Sequence, residues 1–451
     1  MNTPLNRRRF LKTLGMGALA TTLPAATGTA QSRKPNVVLI FTDDQGALDA
    51  NCYGSEDLHT PNMDALARRG VRFSQFYVGA PVCSPSRACL LTGRYPQRAG
   101  VPGNCGGQTG LPPEQTTIAE MLKAAGYPTA IFGKWHLGEL PEMSPLKQGF
   151  DEFFGHKVGC IDNYSHFFYW SGPNRHDLWR NDERHHEDGR YFPDLVVREA
   201  HRFLETHREE PFFLYLPFNL PHYPLQAQES ARILYTDTEE PRSMYAAFVT
   251  TLDEKIGQVV AKLEELGLRD DTVIIFLSDH GHSVEERTFF GGGNAGPYRG
   301  HKFTLWEGGI RVPCIVSWPG HIPEGETRDQ LGMSMDWLPT IAHYCGVALP
   351  DCPIDGKDLS TAIENASAPS PHDAVHWERD RQWAVREGNW KLVANGPETP
   401  YEETTLPAEK LFLSNFAEDI TETKNLADRH PDIVERLAAL HEAWAAEVRN
   451  Q

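Results

Sequence analysis

Basic residues, long apolar runs and internal repeats are scarce in this chain of 451 residues. Its 43 Lys+Arg against 61 Asp+Glu give a formal net charge of −18. That charge argues against nucleic acid as a partner, because phosphate backbones require a basic face. Beyond residue 30, no apolar run approaches the roughly 20 residues that span a bilayer, so we expect no stable membrane insertion. The 40% of hydrophobic residues supply a large core, and the composition predicts a soluble, acidic, globular protein.

The first thirty residues are typical of an export signal. Arg7-Arg8-Arg9-Phe10-Leu11-Lys12 precedes an apolar stretch and then small residues that end at Ala30. This layout is that of a bacterial signal peptide, and twin arginines followed by Phe-Leu-Lys resemble the Tat type. An amphipathic first helix of the mature fold is the weaker alternative, because the segment contains no acidic residue. We therefore predict a Tat-type signal peptide over residues 1–30, the Tat export machinery as a partner, and a periplasmic or secreted protein.

Cysteine occurs at eight positions. An exported protein meets an oxidising compartment, in which some of these thiols could form disulfides. The sequence does not fix the connectivity; Cys345 and Cys352 are one pair close enough in sequence to be bridged.

Short apolar runs alternate with amphipathic segments through most of the chain. Strands are predicted at residues 36–41, 129–132, 212–218, 272–277 and 312–318, and helices at residues 61–69, 116–125, 195–206, 243–266 and 335–345. The alternation predicts an α/β fold over residues 31–370, with a large, mostly parallel sheet sandwiched by helices. Residues 371–451 are predicted to form a smaller C-terminal α+β subdomain, an antiparallel sheet plus a terminal helix at residues 431–448.

Polar side chains follow four of the predicted strands. Asp43-Asp44, Lys134 with His136, His222, and Asp279-His280 each come directly after an apolar run. In such sheets the functional groups gather beyond the carboxyl ends of the strands. We therefore expect these clusters to meet at one edge of the sheet.

Cys83 opens a predicted helix. In Cys83-Ser84-Pro85-Ser86-Arg87, the proline suits the first helical turn, so the thiol lies where unpaired backbone N–H groups favour negative charge. From this position alone, Cys83 is either a nucleophile of lowered pKa or a cysteine packed at a helix start.

The surrounding residues resemble the type I sulfatases, arylsulfatase-like members of the alkaline phosphatase superfamily. The stretch from Cys83 to Arg94 contains their Cys-x-Pro-x-Arg core and downstream Thr-Gly-Arg. The resemblance opens before this stretch with Asp43-Asp44. It continues after it with Gly133-Lys134-Trp135-His136-Leu137-Gly138, Asn219-Leu220-Pro221-His222, Ser278-Asp279-His280-Gly281 and the segment from Lys302 to Pro313. In that family the cysteine is oxidised after translation to Cα-formylglycine. The resemblance therefore implies a sulfuric ester hydrolase and a formylglycine-generating maturation enzyme as a partner.

The resemblance also implies a metal. Asp43, Asp44, Asp279 and His280, together with the modified Cys83, would hold one divalent ion, usually Ca²⁺. Three carboxylates suit a hard cation, but the family more often has Asn where His280 stands, and an imidazole is a softer ligand. An alternative is that His280 caps a loop while the aspartates bind the ion alone.

Six residues receive catalytic roles from the resemblance. Lys134 and Lys302 would bind sulfate oxygens, with Lys302 also near the leaving oxygen, and Arg87 would orient the formylglycine through its fork of donors. One hydroxyl of the hydrated aldehyde at position 83 would attack sulfur. His222 would then protonate the departing alcohol. His136 would be the base as the second hydroxyl re-forms the aldehyde and sulfate leaves.

The substrate is less clear from the sequence. Between Gly159 and Arg190 lies an aromatic and ionic insert, which contains Tyr164, His166, Phe168, Tyr169, Trp170, Trp179, Arg180, His185 and His186. Such a segment suits either a sugar ring with its hydroxyls or a cover packed over the sheet. His321 and Arg328 are further candidates for a local basic cleft. We expect a sulfated carbohydrate or an aryl sulfate as substrate.

Two other functions remain open. Related enzymes that share this fold and chemistry hydrolyse phosphate or phosphonate esters. A non-enzymatic glycan-binding protein would result if Cys83 were never oxidised. A cytosolic thiol hydrolase fits less well, because it would leave the export signal and the aspartates unexplained.

Overall fold

Strands and helices alternate along most of the chain. The structure, a computed structural model, describes residue 1 and residues 34–397 and 410–449, so all of the predicted signal peptide except Met1 lies outside the described residues. The strands in the described part are β1 (Asn36–Thr42), β2 (Val71–Phe73), β3 (Phe76–Tyr77), β4 (Thr129–Lys134), β5 (Glu152–His156), β6 (Phe167–Phe168), β7 (Arg175–His176), β8 (Trp179–Arg180), β9 (Glu183–Arg184), β10 (Phe213–Pro217), β11 (Thr272–Ser278), β12 (Cys314–Ser317), β13 (Glu326–Arg328), β14 (Gly332–Met333), β15 (Ala374–Arg379), β16 (Gln382–Glu387), β17 (Trp390–Ala394) and β18 (Leu411–Asn415). The α-helices there are α1 (Pro61–Arg68), α2 (Cys83–Thr92), α3 (Ile118–Ala124), α4 (Phe192–Thr206), α5 (Glu229–Arg232), α6 (Arg242–Glu265), α7 (Glu307–Ile310), α8 (Trp337–Cys345), α9 (Ser360–Glu364) and α10 (Pro431–Arg449).

Ten strands form the main sheet, in the order β13-β2-β12-β11-β1-β10-β4-β5-β8-β9. Its centre, from β11 through β1, β10 and β4 to β5, is parallel throughout. The strand β12 runs antiparallel to both β11 and β2, and β8 runs antiparallel to β5. The prediction of a large, mostly parallel sheet is therefore confirmed.

The sheet is buried on both faces. Alternate residues of β1 point to opposite sides, as pleated strands require: Leu39 joins a core with α2, α3 and α8, whereas Ile40 joins a core with α1, α4 and α6. Because helices cover both faces, the strands are apolar along their length.

A second sheet follows near the C-terminus. The strands β15, β16, β17 and β18 pair antiparallel in that order, and α10 packs against β16 and β17, which confirms the predicted antiparallel sheet plus terminal helix. The Trp377 indole N–H donates to the Val78 carbonyl across 2.8 Å. The buried Lys391 ammonium lies 3.0 Å from carboxylates of both Glu307 and Glu422. The boundary at residue 370 stays a prediction, because the chain from Lys34 onward forms one compact unit.

Two smaller points concern the cysteines and the membrane. All eight cysteines lie in the described residues and all are free thiols, so Cys345 and Cys352, one pair that the sequence left open, are not bridged. Within the described ranges, no helix is long and apolar enough to cross a membrane.

Candidate active site

The carboxyl ends of β1 and β11 bring three aspartates together. Thr42 of β1 is paired with Ser278 of β11, so the residues that follow emerge side by side. The Asp44 backbone N–H donates to Asp279 Oδ1 across 3.1 Å, and Asp43, Asp44 and Asp279 are all buried. Asp44 has a φ of 65°, a left-handed conformation that is costly for a residue with a side chain and concentrates at functional sites.

Cys83 is the first residue of α2 and faces these carboxylates. Every residue of α2 is buried. The Cys83 Sγ lies 3.8 Å from Asp43 Oδ1 and 3.4 Å from His280 Nε2. Burial raises the pKa of the thiol, but the ammonium groups of Lys134 and Lys302 outweigh burial and lower the pKa to about 6. The position at the start of a helix that the sequence predicted for Cys83 is therefore also strongly electropositive.

Lys134 and Lys302 each contact one of the first two aspartates. The Lys134 Nζ lies 2.6 Å from Asp43 Oδ2, and the Lys302 Nζ lies 2.9 Å from Asp44 Oδ1. Burial raises the pKa of Asp43, but Lys134 and other nearby cations outweigh it and hold that pKa well below its usual range. Burial prevails at Asp44 and raises its pKa to about 8.

Arg87 binds two of the three aspartates. Its Nη2 lies 2.9 Å from Asp279 Oδ2 and 3.4 Å from Asp43 Oδ1, and its Nη1 donates to the Lys134 carbonyl. The guanidinium is fully buried and lies over the Phe41 ring. Its guanidinium donors therefore hold the two carboxylates in place. The sequence predicted a different role, in which Arg87 orients the formylglycine at residue 83.

His280 completes the cluster. Its Nδ1 lies 2.9 Å from the Gly281 carbonyl, so Nδ1 carries the hydrogen and Nε2 faces inward. Nε2 is 3.4 Å from Asp44 Oδ1 and 3.4 Å from Asp279 Oδ1. Two carboxylates this close to Nε2 favour a positive charge there, either a proton on the ring or a bound cation. Burial lowers the pKa of the imidazole, but Asp279 and the Cys83 thiolate raise it to about 9. Three carboxylates and one imidazole nitrogen thus form a donor set that fits a divalent cation.

Two further histidines flank Cys83. The His222 Nδ1 donates to the Tyr223 carbonyl across 2.7 Å, which leaves Nε2 3.8 Å from Asp44 Oδ2. The His136 ring packs on Gly159, where a Cβ would lie 2.9 Å from the ring Cε1. Burial, aided by the nearby lysines, holds the pKa of both imidazoles well below the usual value, so both rings are neutral.

A cavity of about 480 Å³ opens over this cluster. Four of the catalytic residues predicted from the sequence line it, namely Cys83, His136, His222 and Lys302. The other lining side chains discussed below are Asn104, Glu139, Phe168, Trp170, Arg175, Tyr223, Glu285 and Arg287. Lys302 brings a positive charge to the floor of the cavity, and the wall carries aromatic faces beside hydrogen-bonding groups.

Comparison with known proteins agrees with this geometry. The model of the sulfatase family matches residues 35–347. The chain belongs to the sulfatase family. This sulfatase is a sulfuric ester hydrolase, as the sequence predicted.

The similarity extends over most of the chain. Human arylsulfatase A is 35% identical over an alignment 472 residues long, which covers 94% of this sulfatase and 90% of the human protein. N-acetylgalactosamine-6-sulfatase of Sus scrofa is 36% identical over 359 residues, 74% of this chain and 67% of that protein. The crystal structure of Ps i-CgsB in complex with k-i-k-neocarrahexaose superposes with a TM-score of 0.82 at 30% identity, and the match covers 91% of this chain and 93% of that chain.

The sequence allowed the insert of this sulfatase to be either a sugar-binding segment or a cover over the sheet, and different residues of the insert do each. Phe168 and Trp170 line the cavity. Trp179 instead packs against the core, and Arg180 pairs with Glu199. His321 and Arg328 do not belong to the site: His321 stacks on Trp318, and the buried Arg328 donates to the carbonyls of Ala362 and Ile363.

Several lining residues were missed. Asn104 accepts a hydrogen bond from the Ser84 backbone N–H, Glu139 pairs with Arg175, and Glu285 lies 3.5 Å from the Lys302 Nζ. All are in irregular segments, where neither periodicity nor a strand end marks a functional residue. For Glu285 and Arg287, the one signal in the sequence was their position shortly after the Asp279 motif.

Proposed function

We propose that this sulfatase is an exported enzyme that hydrolyses sulfate monoesters of sulfated carbohydrate, with a Cα-formylglycine made from Cys83 as its reactive residue. The observation that carries the proposal is the position of Cys83 at the floor of the cavity, within 4 Å of Asp43 and His280 and in the field of Lys134 and Lys302. A thiol that serves only as packing has no need of two buried lysines.

A divalent ion is part of the proposal. Asp43, Asp44, Asp279 and His280 would hold it, and Ca²⁺ is the ion that three carboxylates favour. When bound, the ion supplies positive charge for a sulfate oxygen and for the oxygen of residue 83. Arg87 fixes Asp279 and Asp43, so the donor set is preorganised before substrate arrives.

The lysines supply charge to the sulfate. A sulfate monoester is an anion that repels a nucleophile, so cations must surround it. Lys134 and Lys302 are held by Asp43 and Asp44, and both pKa values are raised because these carboxylates outweigh burial. Both ammonium groups therefore stay charged near Cys83 and would bind sulfate oxygens as point charges. Lys302 lines the cavity, whereas Lys134 is fully buried.

The histidines move the protons. His222 holds its hydrogen on Nδ1, at the Tyr223 carbonyl, so the Nε2 atom is the one that exchanges protons with the substrate. Its pKa is lowered mainly by burial and by Lys302, and an arriving sulfate anion favours the protonated ring. A protonated Nε2 would then protonate the leaving oxygen. His136, neutral for the same reasons, would be the base that accepts a proton as sulfate is released.

The wall of the cavity supports a sugar substrate. Trp170 stacks on Tyr169 with ring centroids 4.2 Å apart and also contacts Tyr223, which gives a firm aromatic wall. Arg175 and Glu139 form an ion pair at the rim. Aromatic faces with hydrogen-bonding groups suit a sugar ring and its hydroxyls, and Ps i-CgsB, whose crystal structure holds a neocarrahexaose, supports the same class.

Export and maturation complete the proposal. The twin-arginine segment in residues 1–30 supports the Tat machinery as a partner and a periplasmic or secreted location. The Cys-x-Pro-x-Arg core at Cys83 supports a formylglycine-generating enzyme as a second partner. Fusion of residues 1–30 to a reporter in a Tat-deficient host tests the first partner, and loss of export there is the expected result.

The experiment that tests the function measures sulfate release from a panel of sulfated saccharides and from matched aryl sulfates and aryl phosphates. The parent should release sulfate from at least one saccharide and prefer aryl sulfate to aryl phosphate. Cys83→Ala should be inactive, whereas Cys89→Ala, a buried cysteine on the same helix, should keep the parent rate. A preference for the aryl phosphate would replace the proposal with phosphate-ester hydrolysis, and saccharide binding without hydrolysis would replace it with a glycan-binding role.

A further inference from the structure

Three polar side chains meet at the base of the insert, away from the catalytic cluster. They are His166, just before β6, His176 of β7, and Asp188, in the turn after β9. The β6–β7 hairpin pairs Phe167 with His176, which brings the two imidazoles to the same place. The ligating atoms of the three residues all lie within 4.8 Å of one another.

The His166 ring presents a lone pair to this space. Its Nε2 lies 3.0 Å from the Arg190 carbonyl, so Nε2 carries the hydrogen of the neutral ring. The opposite nitrogen, Nδ1, has no hydrogen-bond partner and lies 3.8 Å from Asp188 Oδ1. The side chain is fully buried, so water does not compensate. An imidazole lone pair directed at a carboxylate is repulsive unless a cation lies between the two.

The spacing suits a tetrahedral metal ion. Nitrogen and oxygen ligands lie about 2.0–2.2 Å from Zn²⁺, so two tetrahedral ligands are about 3.4 Å apart. The His166 Nδ1 to Asp188 Oδ1 distance is 3.8 Å, and the hydrogen bond between His176 Nε2 and Asp188 Oδ1 is 3.1 Å long. These two of the three ligand spacings lie on either side of the tetrahedral value. The Asp188 side chain is 60% exposed, which gives an ion a way in.

We propose that His166, His176 and Asp188 form a second metal site, which binds a borderline divalent ion such as Zn²⁺. Two imidazoles and one carboxylate form a donor set typical of zinc, whereas calcium takes oxygen ligands almost alone. The ion would join three separate segments of the insert. The same hairpin carries Phe168 and Arg175, which line the substrate cavity, so the metal would fix one wall of that cavity without touching the reacting groups.

The test measures zinc binding by the full-length enzyme in excess Ca²⁺, which keeps the oxygen-rich catalytic donors occupied. Zinc-free protein in this Ca²⁺ buffer is titrated with Zn²⁺ in a calorimeter, and Co²⁺ is then used as a visible-absorption probe of tetrahedral nitrogen ligation. The informative variant is Asp188→Asn, because this exposed side chain can be changed without disturbing the core. The matched control is Glu183→Gln, which removes one exposed carboxylate from β9 of the same insert.

The parent and Glu183→Gln should bind one equivalent of Zn²⁺, and the ion should raise the midpoint of thermal unfolding of both, since a ligand that binds only the folded state stabilises it. Asp188→Asn should bind zinc at least about tenfold more weakly and lose the Co²⁺ absorption. The proposal would be overturned if the parent bound no zinc under these conditions, or if Asp188→Asn matched Glu183→Gln in both readouts. Neither outcome depends on sulfatase activity, so the result is independent of the proposed function.

Discussion

The Lys134 ammonium lies 2.6 Å from Asp43 Oδ2, and both side chains are fully buried. Such a pair is costly to break, because the remaining partner is a buried charge without compensation. Lys134 therefore serves two purposes in the site: it fixes a proposed metal ligand, and it supplies positive charge beside Cys83.

Substitution Lys134→Met should damage activity and stability together. We expect kcat/KM on an aryl sulfate to fall by about 10²–10³-fold and the free energy of unfolding to fall by about 3 kcal/mol, because Asp43 loses its closest cation. Steady-state kinetics and urea unfolding measure the two effects. Lys357→Met, at an exposed position, is the control and should leave both unchanged. Full activity in Lys134→Met would show that this lysine has no role in catalysis.

The loss of activity on removal of His222, the proposed leaving-group acid, should depend on the substrate. His222→Ala should lower kcat/KM by about 10²–10⁴-fold for a sulfated sugar, whose alkoxide leaves poorly without a proton. The loss should be much smaller for an aryl sulfate with an acidic phenol as leaving group. The ratio of the two losses is the measurement. Equal losses on both substrates would assign His222 a positioning role instead.

The identity of the metal should depend on His280. A chelator should abolish activity, and Ca²⁺ should restore it. His280→Asn should bind Ca²⁺ more tightly and Mn²⁺ or Zn²⁺ less tightly than the parent does, because an amide oxygen is a harder ligand than an imidazole nitrogen. The measurement is activity restored by each ion as its concentration increases. His321→Asn, outside the site, should keep the parent preference, and a shared preference between His280→Asn and the parent would show that His280 is not a ligand.

Two buried histidines should make the protein less stable in mild acid. Burial lowers the pKa of His376 to about 3 and that of His441 to about 4, whereas an unfolded histidine titrates near 6.5. Below that pH the unfolded state takes up protons that the folded state does not. Stability therefore rises with pH between about 4 and 6.5, is lost as the pH falls through this window, and is flat for these groups above it.

The variant His441→Phe tests this dependence. A phenyl ring can keep the stacking on Trp383, whose centroid lies 4.5 Å from that of His441, but cannot take a proton. The drop in unfolding free energy between pH 6.5 and pH 4 should shrink by about 2 kcal/mol. His343→Phe, at a side chain that is 55% exposed, is the control. An unchanged pH profile in His441→Phe would contradict the account.

The sequence was sufficient for the parts of the site that follow strands. Asp43, Lys134 and Asp279 come directly after apolar runs, and the carboxyl ends of parallel strands meet at one edge. The sequence was insufficient where contacts join distant segments. Arg87 reaches Asp279 across 192 positions, and no local pattern indicates that its donors serve carboxylates rather than residue 83.

The sequence was also insufficient for the direction of one strand and for the orientation of the aromatic rings in the insert. The apolar run at residues 312–318 was predicted as a strand, but only the pairing of β12 with β11 shows it to be antiparallel. In the insert, Trp170 and Trp179 were equivalent by composition, yet Trp170 lines the cavity and Trp179 packs against the core. Which aromatic ring faces a ligand depends on tertiary packing, and composition does not encode it.

The central claim is that Cys83 becomes the reactive aldehyde. The most direct test is the mass of the tryptic peptide that runs from Phe73 to Arg87, in which Cys83 is the only cysteine, taken from active protein made in a host that contains a formylglycine-generating enzyme. The account predicts a peptide lighter by the change from thiol to aldehyde and reactive with a hydrazide. A fully active protein whose peptide carries only unmodified cysteine would contradict it.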